Sequence, residues 1–204
     1  MDKALPRGRH NLTRDQVTGA QRDRMMRGMA DAVAERGYAA TTVADVLRRG
    51  GVSRETFYEQ FTGKQDCFLA TLDRSGELLL LVIGSQFDGG AGTPLERFDR
   101  GLRTYLDALA AESTVATVVL LESLAAGEPA RERRFAIQER FAVVVATNFA
   151  DDPTWQRLPD PLFAARTLVG GISSMVISTL AAGRPTDLPT LHAPTMALLR
   201  ALSG

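Results

Sequence analysis

Residues 41–64 carry two short helical patterns on either side of a glycine pair, and this stretch constrains the fold most. Thr42 and Asp45 have the spacing of a capping box, in which each side chain bonds the other residue's backbone amide. Glycine readily adopts the left-handed conformation that ends a helix, so Gly50–Gly51 is the expected stop. Ser53 is a preferred residue type for starting the next helix. The succession predicts a helix-turn-helix.

The solvent side of the second helix carries polar side chains that suit double-stranded DNA. Arginine can bond the edge of guanine and glutamine that of adenine, whereas hydroxyl and ammonium groups can reach phosphates. We therefore expect Arg54, Thr56 and Gln60 to contact base edges. The full set of expected DNA-binding residues is Thr42, Ser53, Arg54, Thr56, Tyr58, Gln60 and Lys64.

Lys64 stands in the first turn of the next expected helix, which a capping box at residues 62–65 is predicted to open. The helix dipole disfavours a positive charge at this place. Two interpretations stay open, since the lysine either faces a DNA phosphate or is an ordinary solvated side chain. Phosphate anchoring is the expected role of Thr42, Tyr58 and Lys64.

Glycines, caps and aromatic residues recur at fixed spacing through this region. The set consists of Gly37, Tyr38, Thr42, Val43, Gly51, Val52, Ser53, Thr56, Phe57, Tyr58, Phe61 and Lys64. It resembles the N-terminal signature of the tetracycline-repressor (TetR) family of transcription regulators, over residues 22–72. Glu55 departs from that pattern, because many members carry a small residue there. Its carboxylate either reads a cytosine amino group or points away and favours the helix start.

Composition bounds the remaining function classes. The chain has 204 residues, 45% of them apolar, and its net charge of zero combines a basic N-terminal part with an acidic remainder. A single cysteine, Cys67, excludes an internal disulfide and a cysteine-based metal cluster, and its apolar surroundings predict an inert thiol. No apolar run suggests a membrane span and no secretory signal is evident, so the protein is expected to be cytoplasmic.

The first seventeen residues are basic and show no periodicity. They are expected to form a mobile arm that follows DNA, or an untethered solvated terminus. Both interpretations are retained.

Apolar residues at helical spacing predict an all-α chain with a three-helix DNA-binding unit and a helical body. We place the domains at 1–64, the basic arm and helix-turn-helix, and at 65–204, the effector-binding and dimerisation domain. Glu122 is expected at the surface, Gly76 is expected to mark a bend, and a charged run near residues 131–140 is expected to be a solvated face. Further helices are predicted at 19–36, 65–87, 94–111, 113–126, 128–149, 163–182 and 188–202, with loops at 88–92 and 151–161.

The resemblance implies a homodimer formed through the two C-terminal helices, a palindromic operator and a small effector bound inside the body. The effector is expected to be hydrophobic because the candidate lining is mainly apolar. The candidate lining residues are Phe68, Tyr105, Phe141, Phe163 and Met175.

No residue pattern proposes catalysis. His10 and His192 lack metal-ligand neighbours at helical spacing, and no phosphate-binding loop or nucleophile motif occurs. We therefore expect a regulator, with no enzyme activity, metal or cofactor. The alternative is a helical small-molecule-binding protein, or a regulator without a ligand-controlled switch.

Overall fold

The computed structural model describes residues 14–87 and 91–203, and none of these residues lies in a strand. The all-α prediction is confirmed. The basic arm up to residue 13, with His10, lies outside the described residues, as do positions 88–90 of the expected loop. Residues 14–17, expected in the arm, instead begin the first helix.

In chain order the α-helices are α1 Arg14–Ala40, α2 Val43–Gly50, α3 Arg54–Gln60, α4 Lys64–Phe87, α5 Pro94–Ala111, α6 Ser113–Thr117, α7 Ser123–Ala125, α8 Glu128–Asn148, α9 Pro153–Gln156, α10 Pro161–Ala181 and α11 His192–Ser203. A π-helical turn, Val118–Glu122, joins α6 to α7, and a 3-10 helix, Pro185–Leu191, leads into α11.

A glycine breaks α1 close to its end. Gly37 has φ 74° and ψ 159°, a conformation that side chains with a Cβ rarely adopt. One further short turn follows it, and the Thr41 amide then bonds the Gly37 carbonyl at 3.2 Å. The predicted end of the first helix at Gly37 is thus confirmed as a break, after which the chain turns towards α2.

Helices α1 and α2 cross at two glycines. A Cβ added to Gly28 would lie 2.8 Å from the Gly50 nitrogen and 3.0 Å from the Val46 carbonyl oxygen. These are backbone atoms, which cannot rotate away as a side chain can. The α1–α2 crossing therefore requires glycine at position 28. The second glycine of the turn, Gly51, has φ 60° and ends α2 as the sequence predicts.

Two apolar cores lie along the molecule. The first gathers Met25, Met29, Phe57 and Phe61 of the N-terminal helices, and none of these is more than 2% exposed. It also includes residues of α4 and of the body, namely Cys67, Phe68, Leu72, Val118, Ala126 and Ala130. Because this core crosses position 64, α4 joins the two parts by packing, and the proposed domain boundary stays a prediction.

The second core lies among α5, α8, α10 and α11, around Leu106, Phe149, Val176 and Met196. Helix α4 runs through Gly76 without a break, and the expected bend there stays a prediction. A Cβ at Gly76 would come within 2.8 Å of the Ile137 side chain. The glycine therefore serves the close approach of α4 to α8.

Three local predictions need correction. The expected loop at 151–161 contains the short helix α9, which Asp152 caps, and Trp155 stacks on Phe149 at 4.4 Å. The helix expected at 113–126 is interrupted by the π turn. The last helix begins at His192, because Pro189 and its neighbours form a 3-10 turn. Proline lacks an amide proton, so it disfavours regular α-helix beyond the first turn.

Helix α10 has the length and apolar composition of a membrane span, with a mean hydropathy of 1.3 over its best window. Only 22% of that window is buried in the protein. Core helices of water-soluble proteins share this composition, so the property does not by itself indicate a membrane.

Candidate nucleic-acid interface and effector cavity

Helix α3 is held by its ends and by two phenylalanines. The Ser53 hydroxyl accepts the Thr56 amide at 3.1 Å, which confirms the predicted N-cap. Phe57 and Phe61 are buried in the first core, at 0% and 2% exposure. At the far end, the Arg22 guanidinium donates to the Gln60 carbonyl at 3.0 Å and lies over the Phe61 ring. The opposite face of α3 is thereby fixed towards solvent.

The expected base-reading residues lie on that solvent face with unequal access. Arg54 is exposed, and its guanidinium carbon lies 5.5 Å from the ring centroid of Tyr58, which is 46% exposed. Thr56 and Gln60 are only partly exposed. They are therefore less accessible to a partner than Arg54. The Thr56 hydroxyl also lies 2.9 Å from that of Ser53.

Glu55 lies exposed in the first turn of α3 and forms no hydrogen bond or ion pair with the described residues. The Ser53 hydroxyl accepts the Thr56 amide, so Ser53 and not Glu55 is the cap of this helix. It acts on the helix through its charge near the positive end of the dipole.

The start of α2 is the predicted capping box, with an unusually well-held carboxylate. The Thr42 hydroxyl and amide both donate to Asp45, at 2.7 and 3.0 Å. These bonds, helped by the charges of Arg36 and Arg48, lower the pKa of Asp45 to about 2. The Thr42 hydroxyl proton is engaged by Asp45, so a phosphate contact by Thr42 would require that proton to turn away.

Lys64 has a partner that sequence reasoning missed. Its ammonium donates to the Tyr38 carbonyl at 2.9 Å and lies 4.3 Å from the centroid of the Tyr38 ring. This intramolecular contact explains a cation in the first turn of α4, so neither sequence interpretation is complete. The predicted box at 62–65 also differs, because Asp66 accepts the Thr62 amide at 2.8 Å.

Tyr38 is held from the body as well. Glu122, at the end of the π turn, accepts the Tyr38 amide at 2.7 Å. The prediction of a surface acid is wrong, since Glu122 is half-buried and crosses from the body to the helix-turn-helix. Tyr38 is thus fixed through its amide by Glu122, through its carbonyl by Lys64 and through its ring by Phe68, 4.7 Å away. We call these four residues the Tyr38 joint.

A cavity of about 580 Å³ lies among the helices of the body and α1. Its walls come from α1, α4, α5, α6, the π turn, α8 and α10, and they are mainly apolar. Val119 and Leu120 of the π turn belong to these walls. The same short turn therefore forms part of the cavity wall and carries Glu122.

The expected lining residues separate into two groups. Tyr105 and Phe141 lie on the cavity wall, with ring centroids 6.0 Å apart. Phe68 packs in the first core, while Phe163 and Met175 are 65% and 53% exposed on α10. These three do not line the cavity. Periodicity could not separate them, since cavity, core and surface positions on these helices are all apolar.

Arg134 also lies on the cavity wall and is half-buried, contrary to its assignment to a solvated face. Its neighbour Arg133 does point outward, where it pairs with Asp73 of α4. A clue was available in the sequence, because Arg134 lies at helical spacing from Ile137, Gln138 and Phe141 of the same wall.

Cys67 is fully buried with its sulfur 4.0 Å from the Met25 carbonyl, and burial raises the pKa of its thiol to about 12. The prediction of an inert core thiol is confirmed. Within residues 14–87 and 91–203, no cluster of three or more His, Cys, Asp or Glu side chains is arranged to hold a metal ion.

Comparisons with known proteins agree with this architecture. Residues 30–71 match the family model described as bacterial regulatory proteins, tetR family. The HTH-type transcriptional regulator AlkX of Mycobacterium tuberculosis is 29% identical over 98 residues, which are 48% of this chain and 46% of AlkX. The match to this curated relative therefore spans about half of its length.

Solved structures extend the likeness in fold to the body. The fatty acid degradation regulator FadR of Bacillus halodurans has a TM-score of 0.77 at 21% identity, covering 88% of this chain and 94% of that one. FadR of Bacillus subtilis, solved in complex with stearoyl-CoA, has a TM-score of 0.76 at 17% identity, covering 87% and 96%. Residues 30–71 therefore carry the pattern of the tetR family of bacterial regulatory proteins, and the body shares the fold of these solved regulators.

Proposed function

We propose that this protein is a cytoplasmic transcription regulator, acting as a repressor, that binds a palindromic operator as a homodimer and is released by a small apolar effector. The observation that supports it most is the presence, in one chain, of an exposed polar face on α3 and a large apolar cavity among the helices of the body.

On the DNA side, we assign base contacts to Arg54, Thr56 and Gln60. Arg54 is the leading member, because it is exposed and arginine can bond guanine bidentately. Ser53 and Tyr58 lie on the same face and suit phosphate contacts. Lys64 acts mainly by holding the Tyr38 joint, and its charge adds to the attraction for the phosphate backbone.

The proposed dimer surface is the outer face of α10 and α11. Phe163, Met175 and Leu198 are each more than half exposed there. A Cβ added to Gly171 would meet no atom within 4 Å, so a second helix could approach its backbone closely. Large exposed apolar side chains of this kind are typical of a subunit contact. A two-fold dimer would present two α3 helices to half-sites about one DNA turn apart.

Effector control is proposed to act through the π turn. Val119 and Leu120 line the cavity, and Glu122 of the same turn holds the Tyr38 amide. A ligand that displaces this wall would also displace the body's hold on the helix-turn-helix. Such a ligand shifts the equilibrium only if it binds the DNA-free geometry more tightly than the DNA-bound one.

The test begins with DNA fragments that the purified protein selects from a random pool. Affinity for a selected fragment and for its scrambled version is measured over a range of salt concentrations. We expect strong preference for the selected fragment, and Arg54→Ala should lose about 1–3 kcal/mol of that preference at one base position. Arg131→Ala, an exposed change on α8, is the matched control and should leave it unchanged.

Equal affinity of the unaltered protein for both fragments would contradict a sequence-specific regulator. The effector part is tested separately by adding apolar compounds to the complex. A compound that stabilises the protein without changing DNA affinity would favour a regulator without a ligand-controlled switch.

A further inference from the structure

Arg134 is a guanidinium on an apolar wall. It is half-buried at the cavity, and no hydrogen bond or ion pair joins it to any residue in the described ranges. Two acidic groups on the helices that carry the cavity wall are engaged elsewhere, since Asp73 pairs with Arg133 and Glu139 accepts from Arg166 at 2.6 Å. Loss of hydration lowers the pKa of Arg134, a direction that reflects the cost of keeping its charge there. A buried charge without a partner costs free energy.

Tyr105 supplies a second polar group at the same place. Its ring lies on the cavity wall, close enough to Arg134 for the two to interact electrostatically. Burial raises the pKa of its hydroxyl to about 12, so the group keeps its proton near neutral pH. The hydroxyl forms no hydrogen bond with the described residues. A neutral hydroxyl donor and a guanidinium therefore adjoin the same apolar space.

The other charged groups of the cavity wall come from three elements. Asp23 and Arg27 lie one turn apart on α1, Arg74 lies on α4, and Glu112 lies at the end of α5. Arg27, Arg74 and Glu112 are exposed, so water screens them. Among the described residues, the partly buried charges that remain on the wall are Asp23 and Arg134. The place on the wall that favours an anion is therefore beside Arg134.

We propose that the cavity binds an amphipathic carboxylate whose charged group pairs with Arg134 and accepts a hydrogen bond from Tyr105, while its apolar body lies along the wall. A guanidinium and a carboxylate can form two parallel hydrogen bonds, which fixes the orientation of the ligand. This inference rests on the proposed effector cavity and names the ligand chemistry that the cavity selects.

The competing account is that Arg134 extends its stem over apolar surface and keeps its charged end in water. In that case the arginine would add no preference for an anion. The two accounts differ in one measurable quantity, the ratio of affinities for ligands that share an apolar chain and differ only in the end group.

The experiment is calorimetric titration of the full-length protein near neutral pH with decanoate, decanol and decylamine. We expect decanoate to bind about ten- to a hundredfold more tightly than decanol, the range for a hydrogen bond to a charged group. Decylamine should bind most weakly. Equal affinity for decanoate and decanol, or absence of binding by all three, would overturn the proposal.

Three variants locate the preference. Arg134→Gln should bring decanoate down to the affinity of decanol while leaving decanol binding intact, which also shows that the cavity has folded. Arg134→Lys should keep part of the preference. Arg131→Gln removes an exposed arginine of the same helix and should behave as the unaltered protein. A decanoate preference that survives Arg134→Gln would show that this arginine is not the anchor.

Failure here is distinguishable from failure of the proposed regulator function. Binding of the selected DNA fragment is measured on the same preparations without any ligand. If DNA binding is retained and decanoate shows no preference, the carboxylate assignment is wrong and the regulator proposal stands.

Discussion

The helix-turn-helix and the body differ in how their space is filled. Helices α1 and α2 approach until glycine is required at position 28, and the phenylalanines of α3 are fully buried. The body contains a cavity of about 580 Å³ among its helices. Close packing holds one geometry, whereas side chains that line a cavity have fewer neighbours to hold them. We therefore expect the helix-turn-helix to keep one geometry and the helices around the cavity to move more readily.

The largest effect on this difference in packing is expected from a change at the α1–α2 crossing. Gly28→Ala places a Cβ against backbone atoms of α2, so we expect the free energy of unfolding to fall by about 1–3 kcal/mol. Gly19→Ala on the same helix has open space around it and should instead be neutral or stabilising by about 0.5–1 kcal/mol. Urea denaturation of both variants measures the difference.

The opposite order, with Gly28→Ala the more stable variant, would show that the crossing has room to spare. The N-terminal helices would then not be more closely packed than the body.

A change at the Tyr38 joint tests the link between the two regions. Glu122→Ala leaves the Tyr38 amide without its acceptor, and a donor that loses its partner costs about 1–3 kcal/mol when buried and less when, as here, it is partly buried. The expected result is a loss of this smaller size in the free energy of unfolding, measured by urea denaturation. Glu132→Ala, at an exposed position of α8, should change it by less than about 0.5 kcal/mol. Similar small losses in both variants would mean that the bond to Tyr38 is not a structural link.

The smallest expected effect concerns pH and the start of α2. The pKa of Asp45 is lowered from 3.8 to about 2 by its bonds to Thr42. A lowered folded-state pKa contributes stability above the unfolded value, and that contribution is lost as pH falls towards the folded value. Asp45→Asn should therefore be less stable than the unaltered protein at neutral pH, with the gap narrowing below pH 3.8.

Denaturation followed from neutral pH downward checks this, with the exposed Asp31→Asn on α1 as the control. A gap between Asp45→Asn and the unaltered protein that stays constant across the acid range would show that the carboxylate's charge is not what stabilises the cap.

Sequence patterns predicted the N-terminal unit well, because its signals are local. The cap residues Thr42 and Ser53 and the helix stop at Gly51 act within a few positions of chain. The resemblance of the helix-turn-helix to the tetR family and the all-α fold are confirmed. The roles of individual residues towards DNA stay predictions, as do the domain boundary and the dimer.

Side chains that act across the fold were not predictable in the same way. The sequence predicted Lys64, Glu122 and Arg134 to be ordinary charged residues, solvated or facing DNA. In the structure, Lys64 donates to a backbone carbonyl, Glu122 accepts a backbone amide and Arg134 lies on the cavity wall. Apolar spacing shows which face of a helix is shielded from solvent. It does not show whether that face packs in a core, lines a cavity or contacts a second subunit. Phe68 and Phe163 illustrate this, since one is buried in the first core and the other is exposed.

By itself, then, the sequence determined the helices, their caps and the helix-turn-helix, because these depend on residue types a few positions apart. Only the tertiary structure shows the Tyr38 joint, the crossing at Gly28 and the charge on the cavity wall. Each of these brings together residues that are distant in the chain, and their meeting depends on how whole helices pack. Periodicity records that a helix has an inner face, while packing decides what that face contacts.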